Sequence, residues 1–70
     1  MKYRIKFISK TNNKNTGYFV RKLKVGFKAC SLLHPEMART MNERSLNDIM
    51  NFLEEQGEID YYDFVIEEVT

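Results

Sequence analysis

The chemistry open to this 70-residue chain rests on few side chains: one cysteine, one histidine, and carboxylates gathered around a pair of tyrosines. Cys30 and His34 are four residues apart, a spacing that on a helix sets thiol and imidazole on one side as a metal pair or a thiolate-imidazole couple. Zinc sites draw on three or four protein ligands, and the sequence supplies no further Cys or His. The pair therefore reads as a buried thiol near a helix-start histidine, with no metal and no cofactor expected. Asp60 and Asp63 flank Tyr61 and Tyr62, an arrangement that invites comparison with the paired carboxylates of glycoside hydrolysis. Catalytic carboxyls need a cleft that shifts their pKa and holds a substrate, and a domain this small has little volume for one. The chain is not expected to be an enzyme.

The charges that remain are segregated along the chain. Residues 1 to 30 carry Lys2, Arg4, Lys6, Lys10, Lys14, Arg21, Lys22, Lys24 and Lys28 and no acid, whereas residues 31 to 70 carry ten acids against Arg39 and Arg44. The net charge of +1 hides this split and, taken alone, argues against a dedicated high-pI nucleic-acid binder. Glu54, Glu55, Glu58, Asp60 and Asp63 form an acidic rim near a helix C-terminus, where they oppose the helix dipole. Charge placed against local helix stability suggests a use elsewhere, and tyrosines amid acids suit a protein surface that meets a basic partner.

Those residues are positioned by a short series of elements. Tyr3, Ile5 and Phe7 alternate with Lys2, Arg4 and Lys6, the pattern of a half-buried strand. Thr11 to Gly17, reading TNNKNTG, is expected as a hairpin loop. A second alternation follows from Tyr18, with Phe19, Leu23, Val25 and Phe27 in one register and Val20, Lys22, Lys24 and Lys28 in the other. Arg21 falls on the apolar register, which implies a bulge nearby or a strand end. Gly26 marks a bulge, a bend or a turn into a further strand over residues 27 to 33. Pro35 suits the first turn of a short helix with Met37, Ala38 and Met41 on one side.

Leu46, Ile49, Met50 and Leu53 give the main helix its apolar stripe, with Ser45 as N-cap, Asp48 at the third position and Gly57 as the stop. Thr40 with Glu43 offers a competing capping box one turn earlier. A last strand is expected over Tyr61 to Val69, with Tyr62, Phe64 and Ile66 on one face and Val65 and Val69 on the other. The most economical assembly is a single α+β domain over residues 1–70, a β-β-α-β chain with an antiparallel three-stranded sheet in the order 2-1-3. A short extra helix or strand between residues 27 and 41 is left open. The helix then covers Tyr3, Ile5 and Phe7, and Glu67 lies across from Lys2, Arg4 or Lys6.

The expected function is a small non-catalytic protein-interaction module, an inhibitor or adaptor of the phage or mobile-element type acting on a host protein. The phage association rests only on a composition rich in Lys, Asn and Ile. Asp60, Tyr61, Tyr62 and Asp63 are its candidate contact residues, with Met37 or Met41 as further amphipathic contacts. The alternative is a nucleic-acid-binding domain that uses Lys22, Lys24 and Lys28 on one register together with the loop lysines Lys10 and Lys14. A homodimer formed by twofold pairing of last strands is compatible with either. One unpaired cysteine, no Asn-x-Ser/Thr acceptor and no apolar run of membrane-spanning length lead to a cytoplasmic, membrane-free expectation.

Overall fold

The computed structural model describes residues 1–11 and 15–69. In chain order the elements are β1 (Lys2–Ser9), β2 (Thr16–Lys22), β3 (Phe27–Ser31), α1 (Glu43–Glu55) and β4 (Tyr62–Val69), with single 3₁₀ turns at Pro35–Met37 and Glu58–Asp60. The α+β class and the antiparallel sheet with one main helix hold, but the sheet has four strands, in the order β3-β2-β1-β4. The additional strand is β3, which realises the open option of a further strand after Gly26; with five residues, FKACS, and one strongly apolar side chain it is too short for alternation to decide. Gly26, at φ 78°, makes the turn that admits it, and the Leu23 N–H bonds back to the Gly26 carbonyl at 3.1 Å.

The register explains which face each residue takes. β1 pairs with β4 over its whole length, from Lys2 opposite Val69 to Ser9 opposite Tyr62. The β2–β3 register shifts between Phe19 and Arg21, so Val20 is the extra residue of a bulge. That bulge turns Arg21 to the side of Lys28, away from α1, and leaves Lys22 on the helix side opposite Phe27. Gly17, read from the sequence as the end of a loop, lies inside β2 opposite Phe7 and Ser31. A Cβ there would collide with the Cys30 carbonyl oxygen and sit 3.0 Å from the Phe7 ring, so the close approach requires glycine. Asn12, Asn13 and Lys14 of the expected loop lie outside the described residues.

α1 starts at neither expected cap. Asn42 is the N-cap, its Oδ1 accepting the Ser45 N–H at 2.9 Å, and Ser45 sits at the third helical position. Met41 exchanges two backbone bonds of 2.8 Å with Tyr3, which anchors the chain beside β1 immediately before the helix begins. Gly57, at φ 76°, stops the helix as expected.

The core is the sandwich of α1 on one sheet face. Ile5, Phe19, Met41, Leu46, Ile49 and Leu53 are buried together, with Tyr3, Phe27, Met50, Phe52 and Phe64 packed around them. Phe7 is buried by a different group: its ring meets Phe27 and Tyr62 edge-on, at centroid distances of 5.2 and 5.3 Å. Met41, expected as an accessible contact, is buried, and the helical segment at Pro35 is limited to three residues with Met37 exposed. Among the described residues no helix is long and apolar enough to cross a membrane.

Candidate functional site

The site is built on β4, an edge strand of the sheet. Its other side is bonded to β1, and the alternation of an antiparallel ladder determines which backbone groups that pairing uses. Tyr3 exchanges both of its backbone bonds with Met41, on the β2 side of β1. Lys2, Arg4, Lys6 and Ile8 therefore direct their N–H and C=O groups at β4, where they meet Val69, Glu67, Val65 and Asp63. The Lys10 N–H, bonded to the Tyr61 carbonyl at 3.0 Å, continues the same alternation. By elimination, Tyr62, Phe64, Ile66 and Glu68 turn their N–H and C=O groups outward, to an edge that no other strand among the described residues occupies.

Edges of this kind are usually blunted by a proline, a bulge or short length. β4 has eight residues, no proline and an unbroken register against β1. Val65 and Ile66 stand at its centre, 43% and 48% exposed and pointing to opposite faces. The protection it does carry is charge: Asp63 and Glu67 on the open face and Glu68 on the helix face.

These three acids are not equivalent. Glu67 lies opposite Arg4, whose Nε donates to Oε1 at 2.7 Å, and the Arg4 guanidinium covers the Tyr18 ring at 4.7 Å from its centroid. The Arg4 bond holds the Glu67 carboxyl below the usual carboxylate range despite some burial, with a further hydrogen bond from Tyr18 acting in the same direction. Burial pushes the Tyr18 phenol up, and the hydrogen bond to Glu67 pushes Arg4 up. Asp63 and Glu68 receive no such treatment from β1, which sets Ile8 against Asp63 and Tyr3 against Glu68. Among the described residues Asp63 meets Lys10 Nζ at 4.0 Å, with both side chains well exposed.

The residues singled out by sequence are dispersed by the fold. Asp60 belongs to the 3₁₀ turn before β4, and Tyr61 is 66% exposed beside it. Tyr62 turns inward to the rings of Phe7, Phe27 and Phe64, whereas Asp63 faces the open side. The lysine set is also divided. Lys22 lies on the helix side with Nζ 5.4 Å from the Phe52 ring centroid, Lys24 is in the turn to β3, and Lys28 is on the open face. Lys10 is at the β4 end, and Lys14 lies outside the described residues.

Sequence reasoning missed Val65, Ile66 and Glu68 as a site, although the two-faced apolar centre of the last strand was the signal for them. Cys30 lies on β3 and not on a helix, its thiol directed at the His34 carbonyl at 3.7 Å, while the His34 ring meets Glu36 at 3.3 Å. Among the described residues no three His, Cys, Asp or Glu side chains gather as metal ligands. Open depressions of about 450 and 300 Å³ flank Phe7 beyond the end of α1, both walled by Ala29 and Tyr62. No protein-family model, no curated protein and no solved structure matches the chain.

Proposed function

We propose that this protein is a small non-catalytic interaction module that accepts an extended segment of another protein along β4. The observation that carries this reading is the outward row of backbone groups on Tyr62, Phe64, Ile66 and Glu68, on an eight-residue edge without proline or bulge. Strand addition draws its affinity from main-chain hydrogen bonds and its selectivity from the side chains on either side of the edge. Tyr61 and Asp60 extend the same surface at its N-terminal end, so the module acts as an adaptor or inhibitor by occupying its partner's segment.

A twofold pairing of β4 with itself is opposed by charge. Centred on Val65, it sets Asp63 against Glu67 at both ends, and centred on Ile66 it brings the two Glu67 carboxylates onto one diagonal. Like charges at these positions destabilise a ladder. The acids thus discourage a homodimer while leaving the edge open to a different strand.

A second reading is favoured by the Val20 bulge, which adds Arg21 to Lys2, Lys6 and Lys28 on the open face. Such a face suits a phosphate backbone. The ring at its centre, Tyr18, is 7% exposed and capped by Arg4, so base stacking finds no platform there.

Affinity capture from the source cell, with and without nuclease, separates the two when wild type is compared with Ile66→Pro and with Lys6→Glu/Lys28→Glu. Proline at 66 removes an outward N–H that the β1 ladder does not use. The protein-interaction reading expects a partner that survives nuclease, is retained by the charge-reversed variant and is lost with Ile66→Pro. Loss on nuclease treatment together with loss in the charge-reversed variant supports the nucleic-acid reading instead.

A further inference from the structure

We infer that the segment received by β4 has a short apolar centre bracketed by two cations, one meeting Asp63 and the other Glu68. This rests on the reading of β4 as a strand-accepting edge and specifies the chemistry of what it accepts. Within the sheet, each side chain of β4 already has one cross-strand neighbour on β1. Arg4 satisfies Glu67, Ile5 faces Ile66, and Phe7 faces Phe64. The two acids that β1 leaves without a cation directly opposite are Glu68 and Asp63, the latter meeting Lys10 Nζ at 4.0 Å with both side chains well exposed. They stand at either end of the exposed Val65–Ile66 centre and point to opposite faces, Asp63 to the open side and Glu68 to the helix side.

An incoming antiparallel strand aligns its own side chains with these faces. Opposite Phe64 and Ile66 it places apolar groups on the helix side, where they extend the rim of the core. Opposite Val65 it places an apolar group on the open side. Opposite Glu67, already held by Arg4 and Tyr18, a polar uncharged residue suffices. Reading across from 68 to 63, the segment is cation, polar, three apolar, cation. Its two charges are five residues apart, roughly 17 Å along an extended chain. Burying a run of three apolar residues of the partner strand gives the complex a hydrophobic contribution as well as its ladder.

The test uses the whole protein labelled with nitrogen-15 and two capped peptides, each with Thr-Ile-Val-Ile at its centre, one flanked by Lys and the other by Glu. Binding is followed by amide shifts, and by hydrogen-exchange protection of the outward N–H groups of Phe64 and Ile66. The Lys-flanked peptide is expected to protect both amides and to bind roughly tenfold more tightly than the Glu-flanked one, since two charge pairs change sign. An Asp63→Lys/Glu68→Lys variant, altered only at exposed side chains, is expected to reverse that preference while keeping the wild-type spectrum elsewhere.

Equal binding of both peptides with Phe64 and Ile66 protected overturns the charge selection but leaves the edge reading standing. No protection by either peptide overturns the edge reading too. A second copy as occupant shows itself as a dimer of the free protein in which those amides are already protected, and overturns the inference.

Discussion

At the scale of single residues, two arrangements help to hold the sheet in register. The first is Glu67 between Arg4 and Tyr18. Because its carboxyl titrates below the unfolded-state value, Glu67 contributes stability that is present above about pH 4.3 and lost as pH falls through its lowered folded value. Glu67→Gln is expected to lower the urea midpoint at pH 7, and the gap from wild type is expected to narrow as the pH falls from about 4.3 through the lowered folded value. A gap that stays constant across that range would mean the ion pair is not its source. Tyr18 works in the opposite sense, since burial raises its pKa. Its contribution is present below the ordinary tyrosine value and is lost on raising the pH through the elevated one. The second arrangement is Gly17, with Phe7 over it and the Cys30 carbonyl beside it. Gly17→Ala has backbone to displace, not only a flexible side chain, and is expected to cost about 1–3 kcal/mol in urea denaturation. Wild-type stability in that variant would show that β3 moves aside freely.

At the scale of elements, the helix gives the sharpest contrast between sequence and structure. Its apolar stripe was legible because Leu46, Ile49 and Leu53 recur at three- and four-residue spacing, and all three are buried. Its start was not, because Asn42, Ser45 and the Thr40–Glu43 pair are all acceptable caps locally, and the selection between them is made by a tertiary contact, the bridge from Met41 to Tyr3. Asn42→Ala is therefore expected to cost about 1 kcal/mol, measured by urea denaturation, and Ser45→Ala much less, since Ser45 supplies only its backbone N–H to the cap. The reverse order would restore Ser45 as the cap. Removing Leu53, which has no exposed surface, is a larger change: Leu53→Ala is expected to cost about 3 kcal/mol, a large part of what a domain of this length has. The strands were legible in the same uneven way. β1 carries strong alternation, whereas β4 is apolar on both faces at its centre, and the face pattern left Lys2, Arg4 and Lys6 as partners for Glu67 until the register selected Arg4. β3 has too few residues to display a period, and the bulge at Val20 hides the face of Arg21 from any count made along β2.

At the scale of the whole molecule, the charge split along the chain becomes a division between layers. The open sheet face carries Lys2, Arg4, Lys6, Arg21 and Lys28 against Asp63 and Glu67, while α1 and the turn after it carry Glu43, Asp48, Glu54, Glu55, Glu58 and Asp60 against Arg44. β4 is where the acidic character crosses onto the sheet, and there it lies along an edge that could otherwise pair with its own copy. Charge on an edge strand is a common guard against self-association, and it acts only while the carboxylates are ionised. Asp63→Asn is therefore expected to shift the protein from monomer toward dimer at pH 7 through the register centred on Val65, where Asp63 otherwise meets Glu67 of the second copy, with sedimentation velocity at several concentrations as the measure. Adding Ile66→Pro to that variant is expected to return it to monomer, because the outward N–H at the centre of the edge is gone. If wild type is already a dimer at pH 7, or if the Asp63→Asn variant remains a monomer at every concentration, then Asp63 is not what keeps the edge single. In the expected case Asp63 has opposite consequences for two kinds of strand: it repels Glu67 of a second β4 and attracts the cation at one end of a partner segment, so that discrimination between copies and partners rests on charge along one edge.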